Sequence, residues 1–285
     1  MYPPKFDYHR AGSVAEAVSM LQKHSEAKVL AGGHSLIPVM NLRLANPGVI
    51  IDIGRIGDLK GISTQGNAVR IGALTTHAMV AASKDVPQVM SEAAGMIGDP
   101  QVRNRGTIGG NIAHADPASD MPTVLTALGA NIHVSGPKGS RTINADDFFT
   151  GLFATALDDG ELVIGVEVAK TGAGSGSAYA KLFNPASRYA MVGAAAVVTV
   201  SGGKCSAVGV AIGGLVPAAT RAKSVEAALL GKALDEASIA AAAAAVAGDL
   251  GDDIIGDIHA SAEYRQAMAP VMVKRALMSA ASRAK

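Results

Sequence analysis

Two glycine-rich patches constrain this chain more than any other feature: Ala31-Gly32-Gly33-His34-Ser35-Leu36 and Thr107-Ile108-Gly109-Gly110-Asn111. Each joins adjacent glycines to a hydroxyl residue. Glycine has no Cβ, so successive N–H groups can turn toward one anion and the chain can enter positive φ. Ahead of the first patch, Lys28–Ala31 reads as a short strand, and after it Ser35 is placed to cap a short helix running through Asn41. Val49–Ile53 then reads as a buried strand. The unit is strand–turn–helix–strand, with its glycines at the turn where an anion meets free amides. Two such patches predict a ligand with two phosphates, gripped from both sides. The run Asp116-Pro117-Ala118-Ser119-Asp120 follows the second patch and offers carboxylates to a ribose or ribityl hydroxyl.

Composition removes several function classes. With 285 residues the chain can bury a sizeable core, in two or three subdomains. A formal charge of +1, with Lys and Arg scattered, excludes the basic stripe of a nucleic-acid binder. A single cysteine, Cys205, forms no intrachain disulfide, holds no iron–sulfur cluster and reads as a buried, inert thiol. The start of the chain, Met1–Asp7, has no apolar core of a signal peptide, so a cytoplasmic protein is expected. The charge-free stretches Tyr189–Gly203 and Cys205–Thr220 are too short and too interrupted by glycine to span a bilayer, and read as buried strands. His34, His77 and His114 lack the paired spacing of a metal site, and no residue stands out as a general base. We therefore expect neither a catalytic side chain nor a metal site.

Along the chain, Ser13-Val14-Ala15-Glu16 predicts a capping box, with helical apolar spacing at Val14, Ala17, Val18 and Leu21. A middle segment holds a strand at Val69–Ala73, helices at Thr76–Val80 and Pro87–Ala94, and irregular chain over Ile97–Asn111. A helix at Met121–Leu128, a strand at Asn131–Val134, a turn at Gly136–Gly139 and a strand at Leu162–Val168 close it. Asp120 then has two readings, ligand to a hydroxyl or cap of that helix. Arg103 and Arg105 likewise read as attracting phosphate, contacting a partner surface, or simply solvated. Thr171–Ser177 reads as a linker; its superficial dinucleotide fingerprint has Ser177 in place of the third glycine. Strands at Ala178–Phe183, Gly193–Val200 and Ala207–Ile212 follow, the last two joined by a hairpin at Ser201–Lys204. Helices over Arg221–Leu230, Glu236–Ala247 and Ala260–Ala281 complete a β-meander with helices on one face.

Taken in order, the two glycine patches, Ile51-Asp52-Ile53 and Asp116–Asp120 resemble the FAD-binding medium subunit of the molybdenum hydroxylases. That group includes aerobic carbon monoxide dehydrogenase and the flavin domain of xanthine dehydrogenase. The likeness runs from Phe6 to the last helix. It implies an α+β fold: a two-lobed FAD-binding domain of the vanillyl-alcohol oxidase type over 1–172, with lobes of about 1–54 and 55–172. A smaller C-terminal α+β domain would cover 177–285, with a three-stranded antiparallel sheet and helices. It also implies that Ala31, Gly32, Gly33, His34, Ser35 and Leu36 wrap the diphosphate, with Thr107, Ile108, Gly109, Gly110 and Asn111 on its other side. Asp120, beside Ser119, would bind a flavin hydroxyl, and Ile97, Val163 and Tyr189 would lie by the ring system. The run Lys181–Arg188 departs from the lysine-rich stretch of carbon monoxide dehydrogenases, and looks more like medium subunits serving other substrates.

The function so implied is electron transfer within a dimer of heterotrimers. A large molybdopterin subunit and a small [2Fe-2S] subunit are the partners, with an external electron acceptor and a seat in the cytoplasm or at the face of the inner membrane. The alternative is a self-contained FAD oxidase or dehydrogenase of the same fold.

Overall fold

The structure, a computed structural model, describes residues 2–284. Met1 and Lys285, where the two expected domains begin and end, lie outside the described residues.

The first unit is β1 (Asp7–Arg10), α1 (Val14–Lys23), β2 (Lys28–Leu30), α2 (Leu36–Asn41) and β3 (Val49–Asp52), with β3 between β1 and β2 and parallel to both. The Ser13 hydroxyl caps α1 by accepting from Glu16 N–H, while the Glu16 carboxylate accepts from Gly12 N–H at 2.7 Å instead of from Ser13. Ser35 precedes α2 as expected, yet its hydroxyl caps nothing. The β2–α2 turn leaves from the carboxyl ends of the parallel strands, the edge at which open parallel sheets bind ligands.

The second unit comprises β4 (Ile62–Gln65), β5 (Ala68–Gly72), α3 (His77–Ala82), α4 (Gln88–Met96), α5 (Pro100–Arg105), α6 (Ile108–His114) and α7 (Asp120–Ala127). β6 (Asn131–Gly136), β7 (Gly139–Asn144), α8 (Ala145–Phe148), β8 (Phe149–Gly151), β9 (Ala154–Thr155) and β10 (Leu162–Ala169) follow. Its antiparallel sheet has the order β4-β5-β10-β6-β7, so the last strand to emerge sits in the centre. The expectation of irregular chain over Ile97–Asn111 is corrected by α5 and α6. Asp99 accepts from Val102 N–H at 2.9 Å, with Pro100 in the first turn, and Thr107 accepts from Gly110 N–H at 3.2 Å. Both are N-cap signals, and they outweigh the helix-weakening glycines that follow.

The third unit is β11 (Ser175–Phe183), β12 (Ala190–Ser201), β13 (Lys204–Gly213), β14 (Thr220–Arg221), α9 (Lys223–Leu229), α10 (Glu236–Ala244) and α11 (Ala262–Arg283). The sheet therefore has four strands, not three: Thr220 and Arg221 pair with Ile212 and Ala211 on β13. Two residues are too few to show an alternating pattern. The supposed linker is also shorter than expected, because Ser175–Ser177 already belong to β11. Gly202 and Gly203, at φ +58° and +74°, make the two-residue hairpin turn between β12 and β13.

Both faces of this sheet are covered, which explains the charge-free runs. Side chains alternate across a strand, so Ala194, Ala196 and Val198 join the core under α9, α10 and α11, while Ala195 and Ala211 join the core of the second unit. The helix between the two cores is α7, all eight of whose residues are buried. Apart from Asp120, Thr123 and Thr126 its residues are apolar on every side, which suits an interior position. It packs close to β12 and β13 because the facing positions are small: a Cβ on Gly209 would overlap the Ala127 carbonyl oxygen, and one on Gly213 the Thr123 hydroxyl. Among the described residues, no helix is long and apolar enough to cross a membrane.

Candidate functional site

The two glycine turns, far apart in sequence, lie side by side. A Cβ on Gly32 would overlap the carbonyl oxygen of Arg105, and one on Gly110 would stand 3.6 Å from the Ala31 Cβ. The bridge between Thr76 and Thr107, with His77 N–H donating to the Gly106 carbonyl at 3.0 Å, anchors the second turn to the start of α3.

The turns differ in what their amides do. Among the described residues the N–H groups of Gly32, Gly33, His34, Ser35 and Leu36 donate to no acceptor. Gly33 sits at φ +76°, the left-handed conformation that lets neighbouring amides converge. In the second turn the four amides after Thr107 are engaged. Ile108 N–H donates to Thr75, Gly109 N–H to Ala73 at 2.8 Å, Gly110 N–H to the Thr107 hydroxyl, and Asn111 N–H to the Thr107 carbonyl. The expectation of an amide cradle on both sides is corrected accordingly: the first turn has free amides, and the second is close-packed with residues 108–111 already hydrogen-bonded. Gly109 is glycine because a Cβ there would overlap Ala73, while Gly110 is exposed and keeps the space between the turns open.

The remaining expected site residues divide into groups. Ser119 donates to the Asn111 side chain at 2.7 Å, tying the run at 116–120 to the second turn. Asp120 begins α7 without capping it; its oxygens accept from the Tyr179 hydroxyl at 2.6 Å and the Lys181 ammonium at 2.7 Å. Burial pushes the Asp120 carboxyl above the ordinary range, against the pull of Lys181 and Tyr179. Tyr189 lines a cavity of about 290 Å³ with Asp116, Ala118 and Asn184, and its phenol is raised by burial and by the carboxylates of Asp116 and Asp120. Ile97, half-buried, ends α4. Val163 and Ile108 are buried in the larger core, where their side chains are packing. His34 is exposed, its Nδ1 3.1 Å from the Gly32 carbonyl oxygen. Arg103 is half-buried, and its Nη1 donates to the carbonyls of Ile97 and Gly98 at 2.9 and 3.1 Å and so pins that turn.

Tyr179 and Lys181 were not identified by sequence reasoning. Their signal is two polar groups at alternate positions of a strand whose core-facing neighbours are apolar, which places both on one face.

His77 supplies a pH-dependent element beneath the second turn. It is buried with no partner for Nδ1, and burial lowers its pKa to about 4. The unfolded chain, with a His pKa near 6.5, binds the extra proton first. Stability is thus fully present above about pH 6.5 and is lost as pH falls toward 4, by about 2 kcal/mol between pH 7 and 5. Urea unfolding midpoints of His77→Gln should fall less over that interval than those of the native chain; parallel slopes would contradict this.

Comparison with known proteins adds the following. Residues 4–170 match the family model described as the FAD binding domain in molybdopterin dehydrogenase, and residues 177–280 that described as the CO dehydrogenase flavoprotein C-terminal domain. The carbon monoxide dehydrogenase medium chain of Hydrogenophaga pseudoflava is 43% identical over 289 residues, covering 99% of each chain. The 6-hydroxypseudooxynicotine dehydrogenase complex subunit alpha of Paenarthrobacter nicotinovorans is 39% identical, covering 100% of this chain and 97% of that one. Among solved structures, a chain of the Hydrogenophaga pseudoflava carbon monoxide dehydrogenase lacking the Mo-pyranopterin moiety superposes with a TM-score of 0.96 at 44% identity, covering 100% of both chains.

Proposed function

The chain belongs to the family of FAD-binding medium subunits of carbon monoxide dehydrogenase and related molybdenum hydroxylases, and from that premise we propose that it is the electron-transfer subunit of a heterotrimeric enzyme of this kind. It would stand between the iron–sulfur clusters of a small partner and an external acceptor. Substrate oxidation would belong to a large molybdopterin partner, the whole forming a dimer of heterotrimers in the cytoplasm or at the inner membrane's face. We place the cofactor domain at 1–172, with lobes meeting near residue 54, and the C-terminal domain at 177–285.

One observation carries the cofactor assignment: five consecutive amides, Gly32 to Leu36, without acceptors beside a bare Gly110. The donor set suits a diphosphate, whose oxygens accept from several N–H groups at once. The chemistry that bound FAD supplies is redox; this chain contributes binding, orientation and tuning. The turn from Ala31 to Leu36 holds the diphosphate, and Gly110 and Asn111 close its other side. Asp120, with Ser119 beside it, receives a hydroxyl of the flavin chain. Ile97 and Tyr189 border the ring system, with Val163 supporting the wall behind. The second glycine turn, Thr107 to Gly109, holds its shape through its own hydrogen bonds.

The spread of relatives between carbon monoxide and 6-hydroxypseudooxynicotine dehydrogenases supports a division in which the substrate is chosen elsewhere in the complex. Purified chain should take up one FAD, read from absorbance near 450 nm, and show no turnover of organic donors unless partner subunits are added. Turnover by the chain alone would favour a self-contained oxidase instead, and failure to bind FAD would overturn both readings.

A further inference from the structure

We propose that Lys181 and Tyr179, on the C-terminal sheet, are positioning residues for the cofactor: they hold Asp120 as an ionised acceptor, so that FAD retention depends on the docking of the second domain. The inference rests on the reading of Asp120 as a ligand to a flavin hydroxyl.

The geometry is specific. Among the ion pairs of the described residues, Lys181–Asp120 is the one with both side chains under 5% exposed, at 2% and 4%. Lys181 and Tyr179 alternate on β11 and so reach α7 from one face, each satisfying a different oxygen of Asp120. The Lys181 ammonium also reaches the Met96 carbonyl at 3.4 Å, next to Ile97. Room for the Tyr179 hydroxyl is made by Gly193 on β12, where a Cβ would overlap it.

Such a pair needs a reason to exist. Buried ion pairs are seldom more stabilising than apolar residues of the same size, whereas one partner without the other leaves a costly unpaired charge. The pair also ties the two domains together at the one carboxylate expected to meet the flavin. Removed from its ammonium, a carboxyl this buried would take up a proton. It would then lose the charge-assisted acceptance that makes a hydrogen bond to a carboxylate strong. Two of its roughly four acceptor positions are filled by Tyr179 and Lys181, which leaves capacity for a hydroxyl.

The test is FAD affinity of the full chain by fluorescence titration for the native protein, Asp120→Asn, Lys181→Met, Lys181→Arg and the double variant Asp120→Asn/Lys181→Met, alongside thermal melts of the cofactor-free forms. Lys181→Met and Asp120→Asn are each expected to weaken binding by roughly tenfold or more. The double variant should be no worse than about threefold below the weaker single, since both remove one interaction. Lys181→Arg, which restores the charge, should recover most of the affinity, an outcome that loss of packing alone does not predict. Affinity of Lys181→Met within twofold of native, or losses that multiply in the double variant, would overturn the proposal. If Lys181→Met does not fold, Tyr179→Phe takes its place, with several-fold weakening expected and unchanged affinity fatal. Native chain that binds no FAD would sink the cofactor reading itself. Native binding with Lys181→Met unchanged sinks only this inference.

Discussion

Leucine at position 110 is expected to lower FAD affinity by roughly 100-fold or more while leaving the melting temperature nearly unchanged. Gly110 is exposed, and its missing Cβ faces the Thr107 hydroxyl at 2.9 Å and the Ala31 Cβ at 3.6 Å. A leucine side chain there projects into the space between the turns, where the diphosphate is placed. Steric exclusion of a ligand from its site has no graded compensation, hence the size of the effect. The cost to the fold is small because two effects offset each other. Turning the Thr107 hydroxyl aside gives up its cap of α6, worth about 1 kcal/mol, while glycine inside a helix is about 1 kcal/mol worse than leucine, so α6 gains propensity. Gly57→Ala, at a position with open space around its Cβ, serves as the control and should bind normally. The check is the ratio of flavin to protein absorbance after gel filtration, together with a thermal melt. Full flavin content in Gly110→Leu would contradict the placement.

The second large effect is on stability. Gly209→Val puts a branched side chain where a Cβ already overlaps the Ala127 carbonyl oxygen on α7. Neither side can yield cheaply: the clash is with backbone, and all eight residues of α7 are buried between two cores. Overpacking of this kind costs about 3 kcal/mol, and more where backbone must move. For a chain of this size that corresponds to a fall in melting temperature of roughly 6–12 °C. FAD affinity should drop with it, since displacement of α7 moves Asp120. A melting temperature within 2 °C of native would show that α7 does not dock on this sheet as described.

How much of this was legible in the sequence depends on the range of the interactions concerned. Turn and cap chemistry is local, so the Ser13 cap, the Gly202-Gly203 hairpin and the strands β2, β3, β10 and β12 could be read from neighbouring residues. The edge strands β4 and β7 were not. Their outward faces carry Ser63, Gln65, Ser140 and Thr142, and what makes them strands is pairing with β5 and β6. The helices α5 and α6 were missed because glycine and arginine in Arg103–Gly110 obscured two good caps, Asp99 and Thr107. The family resemblance identified the two turns together, and only the fold shows that the amides of residues 32–36 are free while those of residues 108–111 are engaged. Lys181 and Tyr179 were invisible for a different reason. A lysine in a strand reads as an exposed tip until its partner, some sixty residues away in the other domain, is brought against it.

Amide hydrogen exchange, with and without FAD, addresses the central claim that residues 32–36 are the diphosphate donors. In the cofactor-free chain these five amides should exchange fast and those of residues 108–111 slowly, since only the latter are hydrogen-bonded within the fold. On FAD binding, exchange at 32–36 should slow by roughly tenfold or more, with little change at 108–111. Saturating FAD that leaves 32–36 unprotected, or that adds its protection at 108–111 instead, would contradict the account.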